Sequence, residues 1–117
     1  MEEIETLTLP QRVVLLGVTA LEEDGETPAH VNVVTRHCQK YTSSIADLGK
    51  LTEAETDRAL NVLDAEELVN MPSTYESSPI GKGRPAYELI ADRSAVLDAL
   101  AEDDRLSEHA DRLREEA

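Results

Sequence analysis

In the second half of the chain, two short apolar segments are separated by a stretch that interrupts regular secondary structure. Residues 68–71 begin like a strand, and residues 86–90 alternate apolar and polar side chains like a returning strand. The stretch between them, residues 73–85, is rich in turn-forming residues: Ser77, Ser78, Pro79, Gly81, Gly83 and Pro85. The pattern predicts two strands joined by a turn or by a long hairpin tip.

The first helix upstream of this hairpin is marked at both ends. Thr8 and Gln11 have the spacing of a capping box, in which each side chain bonds the backbone of the other residue. Gly25 follows the last apolar positions as a stop signal. Apolar side chains surround the segment between them, so we predict a buried helix of about 14 residues.

The next two helices carry their apolar residues on one face. Thr27-Pro28 is expected to open the second helix. Its apolar stripe consists of Val31, Val34, Cys38 and Tyr41. Thr52 and Glu55 form another capping box, and we predict that the third helix runs from there to about Ala65. Its inner face is predicted to hold Thr56, Ala59, Leu60 and Leu63.

Three helices, a strand, a long tip, a strand and a helical tail follow one another in the winged helix-turn-helix order. We therefore predict an α+β fold that is mostly α, with three helices plus a two-stranded wing and a C-terminal dimerisation helix. Residues 1–91 would form the DNA-binding domain, and residues 92–117 the C-terminal helical dimerisation segment. In this fold the third helix enters the major groove of DNA.

The helical tail carries an apolar stripe with two interpretations. The stripe consists of Leu97, Leu100, Leu106, Ala110 and Leu113. It could fold back on its own domain, or it could pair with the same stripe of a second copy, and we favour the dimer interface. The acidic pair Asp103-Asp104 marks a possible break between two helices.

The charge of the chain is strongly negative. Of its 117 residues, 25 are Asp or Glu and 11 are Lys or Arg, which gives a net charge of −14 with only three lysines. Such a domain repels itself in dilute buffer, whereas molar salt shortens the Debye length to about 3 Å. The composition indicates a salt-in halophile, and an acidic mesophilic protein is the alternative.

The remaining composition excludes several classes of protein. No apolar run is long enough to span a membrane, and the first residues do not resemble a signal peptide. One cysteine cannot form an internal disulfide bond, which fits a cytoplasmic location. We expect no membrane partner.

Basic residues at the hairpin tip are the strongest candidates for contact with DNA. Lys82, Gly83 and Arg84 lie in a segment without neighbouring acids, where an arginine could enter a narrow minor groove or bind the sugar-phosphate backbone. The alternative is a solvated tip without a partner.

Further candidates lie on the predicted helix-turn-helix. Arg58 and Asn61 of the third helix could reach base edges, and Thr52 and Thr56 could contact phosphates. Neighbouring acidic residues would repel phosphate, so a solvated face is the alternative. The second helix and the following connection add a small basic face for the DNA backbone, composed of Arg36, Lys40 and Lys50.

Catalysis, metal binding and cofactors have little support in the sequence. The three histidines do not have metal-ligand spacing, and no catalytic set is recognisable, so we expect no enzyme activity, no metal and no cofactor. Solvent cations could bridge acidic side chains and DNA phosphates. Cys38 lies on an apolar stripe and is predicted to be buried, although a redox-sensing thiol is the alternative.

Residues 51–90 resemble the core of many winged-helix transcription regulators. The segment Gly83-Arg84-Pro85-Ala86-Tyr87-Glu88-Leu89 is similar to the wing and second strand of the PadR-like and MarR-like groups. Together with the helical tail and the composition, the chain resembles haloarchaeal PadR-like regulators. That resemblance implies a homodimer that regulates transcription, and a role in the oxidative-stress response.

A second resemblance is to the C-terminal winged-helix domain of archaeal origin-recognition proteins. No ATPase module accompanies it here, which argues against a replication initiator. We expect a homodimeric, sequence-specific transcription regulator that binds double-stranded DNA at high salt, on two half-sites about one helical turn apart. A winged-helix protein-interaction adaptor and a replication-associated DNA-binding module are the alternatives.

Overall fold

Helices dominate the computed structural model, which describes residues 2–42, 45, 49–71 and 86–116. Its helices are α1 (Glu2–Glu5), α2 (Leu9–Glu23), α3 (Val31–Thr42), α4 (Glu53–Ala65), α5 (Arg93–Ala101) and α6 (Ser107–Glu116). Its strands are β1 (Ala29–His30), β2 (Val69–Asn70) and β3 (Ala86–Leu89). Among the described residues, no helix is long and apolar enough to span a membrane.

Local capping fixes the starts of α2 and α4, as predicted. The backbone N–H of Gln11 donates to the Thr8 hydroxyl at 3.4 Å, and the Gln11 side chain accepts from the Thr8 N–H at 2.9 Å. Glu55 and Thr52 form the same pair of bonds at 3.1 and 3.0 Å. Gly25 follows the end of α2 with a φ of +72°, which is the left-handed conformation of a helix stop.

The three strands form one antiparallel sheet with β3 at its centre. The register pairs Val69 with Leu89, Asn70 with Glu88, Ala29 with Tyr87 and His30 with Ala86. The strand β1 was not predicted, and the expectation that Thr27-Pro28 opens a helix was wrong. Residues 29–30 bond to β3 instead, so α3 begins only at Val31.

The helix α2 lies at the centre of the core. All nine of its residues from Val13 to Leu21 are buried, and α3, α4, α5, α6 and β3 pack against it. Contact with α3 is close at Gly17, where a Cβ atom would lie 2.5 Å from the sulfur of Cys38. A glycine is therefore required at this crossing to keep the two helices at their observed separation.

The C-terminal helices join this same core. They pack against each other and against α1 and α2. The stripe predicted as a dimer interface is buried within one chain: Leu97, Leu100, Leu106 and Ala110 are fully buried, and Leu113 is 9% exposed. The alternative, in which the tail folds back on its own domain, is the one observed. The predicted homodimer would have to use other residues.

Asp103 occupies the predicted break between α5 and α6. Its carboxylate accepts bonds from the Arg12 guanidinium at 2.9 Å and from the Arg105 guanidinium at 3.0 Å. Arg12 also donates to the backbone carbonyl of Glu5 at 3.0 Å. These bonds tie α1 and α2 to the turn that starts α6. The hydrogen bond from Arg105 is the largest cause that lowers the pKa of Asp103 to about 2.

We predict that Asp103→Asn destabilises the fold at neutral pH by about 2 kcal/mol. Because the folded pKa of Asp103 lies below its ordinary 3.8, the charged carboxylate stabilises the fold above that value. This contribution disappears as the pH falls through about 2. Urea unfolding at pH 7 and near pH 2 measures the difference.

The matched control for this prediction is Asp98→Asn. Asp98 is exposed and pairs with Arg114, so its loss is expected to cost less than about 1 kcal/mol. Equal losses of unfolding free energy for the two variants at pH 7 would contradict the anchoring role of Asp103.

Candidate nucleic-acid interface

The outward face of α4 is a stripe of small and polar side chains. The inner face holds the four residues predicted for it, Thr56, Ala59, Leu60 and Leu63, which are all buried. On the opposite side, helical spacing brings together four exposed residues: Ala54, Arg58, Asn61 and Ala65. This outward stripe contains no carboxylate, although α4 as a whole is acidic.

The carboxylates of α4 lie beside the outward stripe. Asp57 and Asp64 lie near enough to Tyr87 of β3 to affect its pKa. Burial is the largest cause that raises the pKa of Tyr87, and the charges of these two carboxylates add to it. Glu53 shares their side of the helix by its spacing. Glu55 is engaged in the capping box, and the bond from the Thr52 backbone is the largest cause that lowers its pKa. A partner approaching along the centre of the stripe would meet Arg58 before any acid.

Basic side chains are divided between two uses. Of the nine in the described residues, five are held in ion pairs with carboxylates: Arg12, Arg93, Arg105, Arg112 and Arg114. The other four are in no ion pair: Arg36, Lys40, Lys50 and Arg58. All four are exposed, and all lie on α3, on α4 or in the connection between them.

The connection between α3 and α4 is anchored at its ends. Arg36 and Lys40 stand one turn apart on the side of α3 that faces away from its buried residues. The Gln39 side chain donates to the Leu51 carbonyl at 3.4 Å, directly before the cap of α4. Leu51 and Ile45 are buried beneath. These contacts hold the exposed cations of α3 in a fixed position relative to the outward stripe of α4.

The two threonines predicted to contact phosphates are engaged within the protein. Thr56 is fully buried, and its hydroxyl donates to the Thr52 carbonyl at 2.9 Å, so the prediction for Thr56 was wrong. Thr52 is exposed, but its hydroxyl donates to Glu55 at 3.0 Å and accepts from the Glu55 N–H. Local hydrogen bonding explains both outcomes, because threonine hydroxyls near a helix start bond to the backbone of the first turn.

Sequence reasoning placed Ala65 on the outward side of the third helix but proposed neither Ala54 nor Ala65 as a member of the interface. Their spacing from the buried positions places both on the outward stripe, where small side chains permit a close approach to the helix backbone. The predicted wing residues Lys82, Gly83 and Arg84 lie outside the described residues.

Cys38 is a buried residue of the core, as predicted. Its thiol lies 3.6 Å from the carbonyl oxygen of Val13, to which it donates, and burial raises its pKa to about 12. Such a thiol is protonated and inaccessible at neutral pH, which opposes the redox-sensing alternative. Among the described residues, no three His, Cys, Asp or Glu side chains are grouped as metal ligands.

We predict that Cys38 reacts with a thiol reagent only when the chain unfolds. At pH 8 a thiol with a pKa of about 12 has a thiolate fraction about a thousandfold smaller than a free cysteine. Labelling with Ellman's reagent in native buffer and in 6 M guanidinium chloride measures the difference. Native labelling as fast as labelling of the unfolded chain would contradict the buried position.

Comparison with known proteins supports the fold rather than a family. No family model matches the chain, and no curated protein matches its sequence. Among solved structures, the chain resembles the ORC1 protein of Aeropyrum pernix, which was solved in complex with DNA, with 29% identity and a TM-score of 0.74. The match covers 92% of this chain and 27% of the ORC1 chain.

The helix order, the three-stranded sheet and this likeness define a winged-helix fold. The chain spans about a quarter of the length of the ORC1 chain that it resembles. The likeness is to the second of the two groups that the sequence resembles, the archaeal origin-recognition proteins. The comparisons do not support the first resemblance, to PadR-like regulators.

Proposed function

We propose that this chain binds duplex DNA with the outward stripe of α4 in the major groove. One observation carries the proposal. The described basic side chains that are in no ion pair all lie on the helix-turn-helix, whereas every other described basic side chain is paired with a carboxylate. The DNA-bound state of the ORC1 protein with the similar fold supports the same conclusion.

The outward stripe has the chemistry to read base edges. An arginine at the position of Arg58 can donate two bonds to guanine, and an asparagine at the position of Asn61 can pair with adenine. Ala54 and Ala65 leave the helix backbone accessible to the groove and can contact a thymine methyl group. Arg36, Lys40 and Lys50 would contact phosphates and set the register.

Two biological uses of DNA binding are open to this chain. A replication-associated module has the more direct support, because the likeness to ORC1 extends over 92% of the chain. Transcription regulation by an archaeal homodimer rests on the sequence resemblance to PadR-like regulators. Within that group, we propose a role like that of the oxidative-stress regulator RosR. Both uses require the same contacts by α4, and neither requires enzyme activity.

The DNA sequences that the chain selects would separate these two uses. Selective binding to the promoter of its own gene would support transcription regulation. Selective binding to repeats at a replication origin of the same genome would support the replication-associated module. Genome-wide mapping of the bound chain gives the same distinction without a choice of sites in advance.

We predict that Arg58→Ala weakens DNA binding by about 5- to 150-fold, which corresponds to the 1–3 kcal/mol of one bidentate base contact. Fluorescence anisotropy with a labelled duplex in about 2 M KCl measures the affinity. Arg114→Ala is the matched control, because it makes the same charge change at an arginine that is already paired on α6.

Two results would count against the proposed interface. Equal weakening of DNA binding by Arg58→Ala and Arg114→Ala would mean that the loss comes from net charge alone and not from a contact made by Arg58. A wild-type chain that binds no duplex at any salt concentration would exclude DNA binding and leave the protein-interaction adaptor, for which the acidic flank of α4 would be the contact surface.

We further propose that the chain operates in a cytoplasm of molar salt. The net charge of −14 is spread over a single small fold, and its repulsion is screened only at high ionic strength. Potassium ions would also lie between the flanking carboxylates of α4 and the DNA phosphates. Binding in these conditions depends on direct contacts more than on the release of counterions.

The corresponding prediction concerns the salt dependence of DNA affinity. Four neutralised phosphates would ordinarily cost about three to four orders of magnitude for a tenfold rise in salt. We expect the affinity to fall by less than about tenfold between 0.1 and 1 M KCl. Salt also screens the repulsion between the acidic flank of α4 and the DNA phosphates, and this gain offsets the loss. Anisotropy across this range tests the prediction, and a fall of a thousandfold would contradict it.

A further inference from the structure

An open pocket of about 200 Å³ lies between α3, α6 and the C-terminal end of α2. Three rings line it side by side: those of His37 and Tyr41 on α3 and that of His109 on α6. The ring centroids of His37 and Tyr41 are 5.9 Å apart, and those of Tyr41 and His109 are 4.8 Å apart. Both pairs meet edge to face, at interplanar angles of 70° and 65°. The pocket is separate from the outward stripe of α4.

The charge of the pocket lining differs from that of the chain. Lys40 and Arg112 line the pocket together with one carboxylate, Asp24, whereas the whole chain has a net charge of −14. Arg112 is paired at 3.1 Å with Glu108, whose side chain is 81% exposed. An ion pair this exposed is weak, so the guanidinium remains available to another anion. Among the residues that the structure describes, Lys40 is in no ion pair.

The size and the apolar walls of the pocket limit what can occupy it. Ala20 and Leu113 line it beside the Tyr41 ring. A cavity of about 150 Å³ can hold benzene, so 200 Å³ has room for one ring with a small charged group. Drug-sized ligands need larger pockets, of about 300 Å³ or more.

We propose that this pocket binds a small organic anion, with its charged group toward Lys40 and Arg112 and its apolar part against Tyr41 and Leu113. The proposal does not depend on DNA binding, because it rests on the pocket between α3 and α6 alone. The site would give the fold a second function as a receptor for a small metabolite of this chemical class.

The two histidines of the pocket would report its occupancy. Burial and then the charge of Lys40 lower the pKa of His37, while Asp24 and Glu26 act in the opposite direction. Burial and then Arg112 lower the pKa of His109, while Glu108 opposes the shift. An anion beside the imidazoles favours their protonated forms, so binding would raise both pKa values.

The test uses benzoate as the probe and proton NMR of the three histidines as the readout. We expect benzoate to raise the pKa values of His37 and His109. The NMR signals of His30, which lies on β1 outside the pocket lining, serve as the internal reference and should not move on binding. Benzamide has the same size without the charge, and acetate has the charge without the ring. Both are expected to have little effect. By linkage, benzoate should bind more tightly near pH 5.5 than near pH 8, because protonated imidazoles favour an adjacent anion.

Two variants separate the pocket from general charge effects. Lys40→Gln is expected to weaken benzoate binding about tenfold, which is the scale of one charge-assisted contact. Lys50→Gln makes the same change at an exposed lysine outside the pocket lining and should leave the affinity unchanged. Circular dichroism verifies that both variants fold. Unchanged histidine pKa values with benzoate, equal shifts of all three, or equal losses in the two variants would overturn the proposal.

Discussion

The position of α2 decides the position of every surface described above. Its residues from Val13 to Leu21 are buried on all sides, and the only polar side chain among them, Thr19, donates its hydroxyl to the Leu15 carbonyl at 2.8 Å. The close contact at Gly17 and Cys38 holds α3 against it. Because α3 and α4 both pack on α2, their contacts with α2 fix the angle between them. The outward stripe is thereby presented on a rigid framework.

The distribution of ion pairs reconciles a highly acidic chain with a surface that can meet an anion. Most of the described arginines stabilise the junctions of the fold, as Arg12 and Arg105 do at Asp103 and Arg93 does at Glu23. A side chain in such a pair is of little use to a phosphate. Within the part of the chain that the structure describes, the cations in no ion pair are those of the helix-turn-helix, so stability and the proposed DNA contacts draw on different residues.

Local signals predicted the helices well, and nonlocal contacts account for the errors. The capping boxes at Thr8 and Thr52 depend on residues three positions apart, so the sequence shows both helix starts. The strand at Ala29 exists only because β3, some 57 positions later, bonds to it. The apolar tail was ambiguous for the same reason, since its periodicity is identical whether α6 covers α2 or a second copy.

The candidate interface was predicted in its polar members and missed in its small ones. Arg58 and Asn61 are recognisable by type, whereas alanines such as Ala54 acquire meaning only once the buried face is known. The acids beside them, Asp57 and Asp64, also gain meaning from the structure, because they lie toward Tyr87 rather than on the outward stripe. A groove that accepts the stripe brings its phosphates near this flank, where cations must screen the repulsion. In the proposed binding mode, ambient salt would therefore be a component of the interface, and tight binding would be restricted to sequences that Arg58 and Asn61 can contact directly.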